Sequence, residues 1–333
     1  MRILQIANYK EGVGGIAIQV KRLTDNLRQE GIECDVLSTK GSLFNRLKAV
    51  VSLVCKGRRY DVFHVHCCSY RGFFPALVGV SIGRVLKKRI ILTYHGGEAD
   101  GFFKKRARLV RDILSKTSAN IVLSGFIGDI FDRYNIPYVI IPNIIELNKD
   151  SFFERSTIRP IFISTRSLTD TYNIECSLKA FKIIRMTYPD AHLMVLGDGP
   201  LRGRLEQFVV NNQIPNVTFV GQVNNDGIYD YLSQADIMVS SSHFDNMPVS
   251  IMEGFNAGLL VIASNVGGVP FMIEDGINGL LFEDDDSEML AQKMMFAIEN
   301  QELSKRMIHN AHEGLSHYSW MENKEKYLQL CQG

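Results

Sequence analysis

Two carboxylates with seven residues between them, Asp245 and Glu253, bracket Pro248 in the stretch Ser240 to Gly268, SSSHFDNMPVSIMEGFNAGLLVIASNVGG. The apolar run Ile237-Met238-Val239 reads as a strand that ends at Ser240 to Ser242. A polar loop, His243 to Pro248, follows it, and Val249 to Glu253 has the spacing of a first helical turn. Such a junction seats an anion, because free backbone N–H groups and the positive end of the helix dipole point at one spot. Pro248 suits the first helical position, where no N–H is needed. A phosphate would sit at the amides of Asn246, Met247, Pro248 and Val249, Pro248 contributing shape and not a donor. Asp245 and Glu253 would then accept hydroxyls from a sugar and a ribose.

Three further places could carry chemistry. Arg166 lies in the first turn after the strand Pro160 to Ser164. His95 ends the strand Ile90 to Thr93 and precedes Gly96-Gly97, at the strand end where α/β folds bind ligands. The loop Asn8 to Gly15, rich in glycine, joins a strand (Ile3 to Ala7) to a helix (Ile16 to Glu30). The turn is phosphate-loop-like, and Gly12 to Gly15 also suggests a nicotinamide-dependent dehydrogenase. Against that alternative, G-x-G-x-x-G is lacking and no acid clearly ends the second strand, Cys34 to Ser38. No metal is expected. His64 and His66 share a strand face without an apparent third ligand, and Asp284-Asp285-Asp286 precedes a helix, Ser287 to Glu299, whose start favours acids.

The elements that must position these residues alternate strand and helix twice. The first series adds a strand at Asp61 to His66, a helix from Phe73 to Ile82, and an amphipathic helix from Phe102 to Ser115 with Phe103, Ala107, Val110 and Leu114 on one face. Lys104, Lys105, Arg108 and Arg111 point elsewhere on it, which suits either an interfacial helix or an ordinary docked one. The series closes with Ile121 to Ser124, a helix to Tyr134, and Val139 to Asn143. Leu147 to Arg159, polar and without period, reads as a linker. The second series runs through a helix (Ile174 to Tyr188), a strand (His192 to Leu196) ending in Gly197-Asp198-Gly199-Pro200, a strand from Asn216 to Val220, and a helix from Asp226 to Ala235.

The chain has 333 residues and is 46% hydrophobic, enough for two domains with separate cores. No apolar run approaches the ~18 residues of a spanning helix, and a strand pattern follows Met1 at once, so no leader is expected. Six scattered cysteines without metal spacing favour reduced thiols and a cytoplasmic protein. Residues 1–150 carry 24 Lys and Arg against 13 Asp and Glu, a net of +11, while the remainder is −10. A basic half suggests an anionic partner, such as a membrane surface or a phosphorylated acceptor; chance and solvated faces are the plain alternative.

Asp245, seven residues, Glu253, then a small-residue turn, an apolar strand and Val266-Gly267-Gly268-Val269-Pro270 resemble the donor-site signature of family 4 glycosyltransferases. The paired Gly14-Gly15, Arg166 and the turn at Gly197 belong to the same resemblance, which covers nearly the whole chain. It implies an α/β protein of GT-B fold, two Rossmann-like domains with parallel sheets facing across a cleft. The expected boundaries are 1–150 for the acceptor side, 151–313 for the donor side, and 314–333 for a helix crossing back to the first domain. The implied activity is hexosyl or N-acetylhexosaminyl transfer with retention from a nucleotide-diphosphate sugar, most simply a UDP-sugar, and no other cofactor. The acceptor would be a glycan or lipid-linked glycan, with peripheral contact at the inner membrane face and no nucleic acid partner. By resemblance His95 positions the sugar, Asp245 holds its hydroxyls, Glu253 holds the ribose, and Arg166 faces the diphosphate.

Two positions depart from the pattern. Tyr172 stands where the family carries a phosphate-gripping Lys, which marks a variant subgroup, and Phe271 follows Pro270 where a Glu is common. A charge-assisted phosphate contact is worth about 1.5 to 3 kcal/mol, whereas a tyrosine hydroxyl offers one neutral hydrogen bond. The loss leaves open a non-catalytic nucleotide-sugar binder of the same fold.

Overall fold

The computed structural model describes residues 1–10, 14–147, 151–224 and 227–333. Gly12 and Val13 of the glycine loop, the 150/151 boundary and the Asp226 helix start lie outside the described residues. The chain forms two compact units, residues 1–146 with 317–333, and residues 147–316.

In the first unit β1 (Arg2–Ala7), β2 (Glu33–Ser38), β3 (Val62–Cys67), β4 (Arg89–Tyr94), β5 (Ala119–Val122) and β6 (Val139–Ile140) make one parallel sheet, ordered β2-β1-β3-β4-β5-β6. Helices α1 (Gly15–Gln29), α2 (Leu43–Lys56), α3 (Phe74–Val85), α4 (Ala99–Leu114) and α5 (Gly125–Arg133) connect the strands. A parallel sheet covered on both faces needs apolar residues at consecutive positions. β3 supplies them, buried from end to end despite its two histidines.

The second unit repeats the plan. β7 (Ile161–Ser164), β8 (His192–Leu196), β9 (Val217–Gly221), β10 (Ile237–Ser240), β11 (Leu260–Ser264) and β12 (Leu280–Phe282) are ordered β12-β11-β10-β7-β8-β9, again all parallel. Its helices are α6 (Ile174–Thr187), α7 (Arg202–Asn211), α8 (Ile228–Leu232), α9 (Val249–Asn256), α10 (Ser287–Glu299) and α11 (Gln301–Gly314). The three aspartates start α10 as acids at a helix start should: Asp286 is its N-cap and accepts from the Met289 N–H. After a 3-10 turn at Leu315–Tyr318, α12 (Trp320–Gln332) joins the first unit. Its Trp320, Tyr327 and Cys331 are buried with Ile3, Leu23, Val62 and Ile91, and Trp320 Nε1 donates to Glu30. The charge asymmetry follows the units, +11 for the first and −10 for the second.

Three expectations need correction. The helix at Phe102–Ser115 starts earlier, at Ala99, is kinked at Arg106, and buries Phe102, Phe103, Val110, Ile113 and Leu114. Its apolar face lies in the core, the arrangement of the ordinary docked helix and not of the interfacial one. Pro248 is extended (φ −66°, ψ 121°) and is the N-cap of α9, one position before the first helical residue. The supposed linker is structural from Phe152 onward. Arg155 is buried there and donates to the carbonyls of Phe153, Leu232, Ala235 and Ala257. Asp236, also buried, lies 3.4 Å from Arg155 and takes a bidentate pair from Arg159 at 2.8 and 3.0 Å. Charged residues that pair in the interior leave no apolar period, so the sequence there reads as loop.

Removing one partner of a buried ion pair strands the other, at about 3 to 5 kcal/mol. Asp236→Ala should therefore lower the urea midpoint of the second unit by that equivalent, read by circular dichroism; a change below about 1 kcal/mol would show that Arg155 is satisfied by carbonyls alone.

Candidate functional site

In a doubly wound sheet, ligands bind outside the carboxyl ends of the strands where the strand order reverses. In the second unit that point lies between β7 and β10, whose loops carry Arg166 and Asp245. The two side chains form an ion pair through Arg166 Nη2 and Asp245 Oδ2, and they are only 11% and 15% exposed. Arg166 Nη1 donates to Ser250 Oγ in the first turn of α9 at 2.8 Å. The Tyr172 ring covers the guanidinium, with its centroid 4.1 Å from Cζ. Position 172 thus backs the arginine with a π face, a contact favourable to a cation.

Asp245 is fixed as well. Its Oδ1 accepts from the Asn246 N–H at 3.0 Å, and its carbonyl accepts from the Gly268 N–H at 3.0 Å, tying the acid to the paired glycines. Burial raises its carboxyl pKa above the ordinary range, while Arg166 and the Asn246 N–H pull the other way. One lone pair on each oxygen is spent in these bonds, which leaves one on each for a hydroxyl. Four buried polar groups at this edge have no partner among the described residues: Arg166 Nε, Ser164 Oγ, Thr165 Oγ1 and Ser242 Oγ. Buried polar groups are normally paired, so this edge is built to receive hydrogen-bonding groups.

The backbone of Arg166 is set by a glycine that no other residue could replace without displacement. Gly197, at φ +129°, sits where a Cβ would fall 2.3 Å from the Arg166 carbonyl oxygen. All eight residues of α9 are buried, Glu253 among them, and its N-cap makes no side-chain capping bond. Phe271, half exposed, lies in the 3-10 turn Val269–Phe271.

In the first unit Gly14 caps α1 with φ +88°, a conformation natural to glycine, and Gly15 opens the helix. His95 follows β4 and joins a chain of polar side chains running through the sheet. Thr24 Oγ1 donates to the Val20 carbonyl at 2.7 Å, so it accepts from Gln5 Nε2 at 2.6 Å. The same Gln5 nitrogen faces the Val20 carbonyl, an acceptor only, which fixes the amide orientation. Gln5 Oε1 then accepts from His66 Nε2 at 2.8 Å, His66 Nδ1 accepts, and His95 Nε2 donates to it at 3.0 Å. His95 Nδ1 is consequently the unprotonated nitrogen. His64 is occupied by Thr93 on one side and Tyr327 of α12 on the other. Burial drives down the pKa of all three rings, His64 to about 3 and His95 to about 4. Among the described residues no group of three His, Cys, Asp or Glu could hold a metal ion.

Comparison with known proteins identifies the family. Residues 148–314 match the family described as Glycosyl transferases group 1, and residues 42–149 match Glycosyltransferase Family 4. The chain belongs to the group 1 glycosyl transferases. It is 24% identical to an uncharacterized glycosyltransferase of Methanocaldococcus jannaschii, with 96% of this chain and 95% of the relative covered. It is 24% identical to the alpha-monoglucosyldiacylglycerol synthase of Streptococcus pneumoniae over 82% of this chain and 73% of that one. In structure it resembles the Anabaena protein HepE in complex with UDP-glucose, with a TM-score of 0.80, 17% identity and 99% of each chain covered. Two six-stranded parallel sheets with such neighbours define the GT-B fold for this glycosyltransferase.

The structure brings Arg166, Tyr172, Gly197, Asp245, Asn246 and the start of α9 together, while Gly14, Gly15 and His95 belong to the other unit. Sequence reasoning overlooked Ser250, whose signal is a hydroxyl in the first turn after Pro248. It also overlooked Gln5, a polar residue inside the apolar strand Arg2–Ala7 and fully buried.

Two outcomes test the histidine chain. Nitrogen-resolved NMR should show His95 with Nε2 protonated and Nδ1 bare, and Gln5→Leu should leave both tautomers populated; an Nδ1-protonated wild type would contradict the chain. These rings have folded pKa values below their unfolded value of 6.5, so the stability they contribute is complete above pH 6.5 and is lost as pH falls through about 4 and then about 3. Denaturant midpoints should fall over that window, less steeply in His95→Gln.

Proposed function

We propose that this glycosyltransferase moves a hexosyl or N-acetylhexosaminyl group from a nucleotide-diphosphate sugar, a UDP-sugar, to a glycan or lipid-linked acceptor with retention at the anomeric carbon. The observation that carries the proposal is Arg166, held by Asp245, Ser250 and Tyr172 at the opening of α9. A leaving diphosphate there meets a guanidinium whose orientation is set before binding, together with the amides that begin the helix. Fixed donors aimed at developing charge cost no reorganisation during the reaction.

The residues divide the donor between them. Glu253 holds the ribose hydroxyls and Asp245 uses its remaining lone pairs on the sugar hydroxyls. The sugar contact that the resemblance implies for His95 calls for an acceptor, and Nδ1 supplies one. In the transfer step the acceptor oxygen bonds to the anomeric carbon as the bond to the diphosphate oxygen breaks. The acceptor's proton passes to the departing diphosphate on the same face. The resemblance supports front-face attack, with the leaving diphosphate taking the proton and no side chain as nucleophile. The UDP-glucose complex of HepE and the lipid product named for the pneumococcal relative support the donor class and a lipid acceptor.

The alternative of a binder without turnover is favoured by Tyr172 in place of the usual Lys. Family membership displaces the dehydrogenase alternative. A thermal-shift series with UDP and UDP-sugars, followed by a transfer assay with product anomers read by proton NMR, separates the remaining readings. Wild type should gain melting temperature with ligand by linkage. Arg166→Lys keeps the charge but loses the fork, and should weaken UDP binding about 10- to 100-fold, the equivalent of 1.5 to 3 kcal/mol. Glu253→Ala should abolish turnover. UDP binding with neither transfer nor hydrolysis would establish the binder, an inverted product would overturn retention, and undiminished UDP binding by Arg166→Lys would remove the arginine from the site.

A further inference from the structure

Helix α2 carries its apolar residues on the wrong side for a core. Only Ala49 and Leu53 are buried, while Leu43, Phe44, Leu47, Val51 and Val54 are exposed by 85, 63, 59, 55 and 51%. At ~100° per residue these five occupy one continuous arc roughly 100° wide. Single exposed apolar residues are ordinary, but a contiguous stripe of five marks a surface that something covers. The first turn is held by Ser42, whose hydroxyl accepts from the Asn45 N–H, so the helix and its stripe are a defined element.

Charge decides what covers it. Between Val36 and Tyr60 the chain has six basic residues, Lys40, Arg46, Lys48, Lys56, Arg58 and Arg59, and no Asp or Glu. All but Arg46 are exposed. Lys48 lies with its ammonium 4.5 Å from the Phe44 ring centroid, and Arg46 lies 5.0 Å from that of Phe74, each long side chain lying against an aromatic ring beside the stripe. A second copy of this chain would bring six like charges against six. An anionic bilayer accepts both the apolar arc and the basic flank, the arrangement of a helix lying in the headgroup plane. No helix among the described residues is long and apolar enough to span a membrane, so contact of this kind is lateral.

We infer that α2 is a membrane-docking helix that lays Leu43, Phe44, Leu47, Val51 and Val54 into an anionic lipid surface. The inference deepens the proposed function by naming the surface that brings the enzyme to a lipid-linked acceptor, and in that respect it rests on it. It also relocates the membrane contact, since α4, the amphipathic helix picked out in the sequence, is docked in the core.

The test is co-sedimentation of the full chain with vesicles, with UDP binding measured separately by thermal shift. Vesicles of phosphatidylglycerol and phosphatidylcholine in equal parts should bind the protein at least tenfold more than pure phosphatidylcholine, and less as salt rises. The double variant Phe44→Ser with Leu47→Ser, and separately Lys56→Glu with Arg58→Glu, should each lose at least tenfold in vesicle binding and keep wild-type UDP affinity. Equal binding to neutral and anionic vesicles, no binding to either, or wild-type binding by the Phe44→Ser, Leu47→Ser variant would overturn the assignment. So would a concentration-dependent dimer in sedimentation velocity that this variant abolishes. Because vesicle binding is measured without a donor, its failure leaves the transferase reading standing, and failure of UDP binding leaves the docking result standing.

Discussion

A guanidinium taken out of water must be neutralised where it lies, and the carboxyl-end edge of the second sheet is organised by that requirement. Arg166 is matched in charge by Asp245, bonded to Ser250 and covered by Tyr172. The three partners come from separate segments, so the loop after β7, the loop after β10 and the first turn of α9 cannot move independently without exposing a charge. An isolated buried ion costs several kcal/mol. The pair therefore fastens these segments to one another, and the π face of Tyr172 backs the guanidinium from the side.

The same logic recurs at the start of the second unit. Asp236 gathers Arg155 and Arg159, and Arg155 spends its remaining donors on carbonyls around α8 and the end of α9. One cluster fixes the front of the second unit and the other fixes its entry strand. The first unit does the corresponding work with neutral groups. Gln5, His66 and His95 pass a defined donor–acceptor polarity from α1 to the end of β4.

The alternation of apolar strands and amphipathic helices was legible in the sequence, because parallel sheets covered on both faces demand continuous apolar runs such as Leu260 to Ala263. So was the start of a helix at Val249, since local chemistry fixes a helix start. What the residue pattern could not give was the partner of each charge. Asp245 and Arg166 are far apart in sequence, and nothing local says that they meet. The buried pair of Arg155 and Asp236 hid the structured entry of the second unit, and Gln5 looked like an interruption of a strand. The burial of α4 was hidden for a different reason: an amphipathic helix reads the same whether its apolar face meets a sheet or a membrane, and only the exposure of α2 tells the two helices apart.

The return of α12 to the first unit has a temporal side. The face formed by Ile3, Leu23, Val62 and Ile91, and the hydrogen-bond partner that His64 finds in Tyr327, wait on residues that follow the entire second unit in the chain. At translation rates of about 5 to 20 residues per second, the ribosome leaves the first sheet incompletely covered for on the order of ten seconds. In that interval its exposed apolar face is a natural client for chaperones.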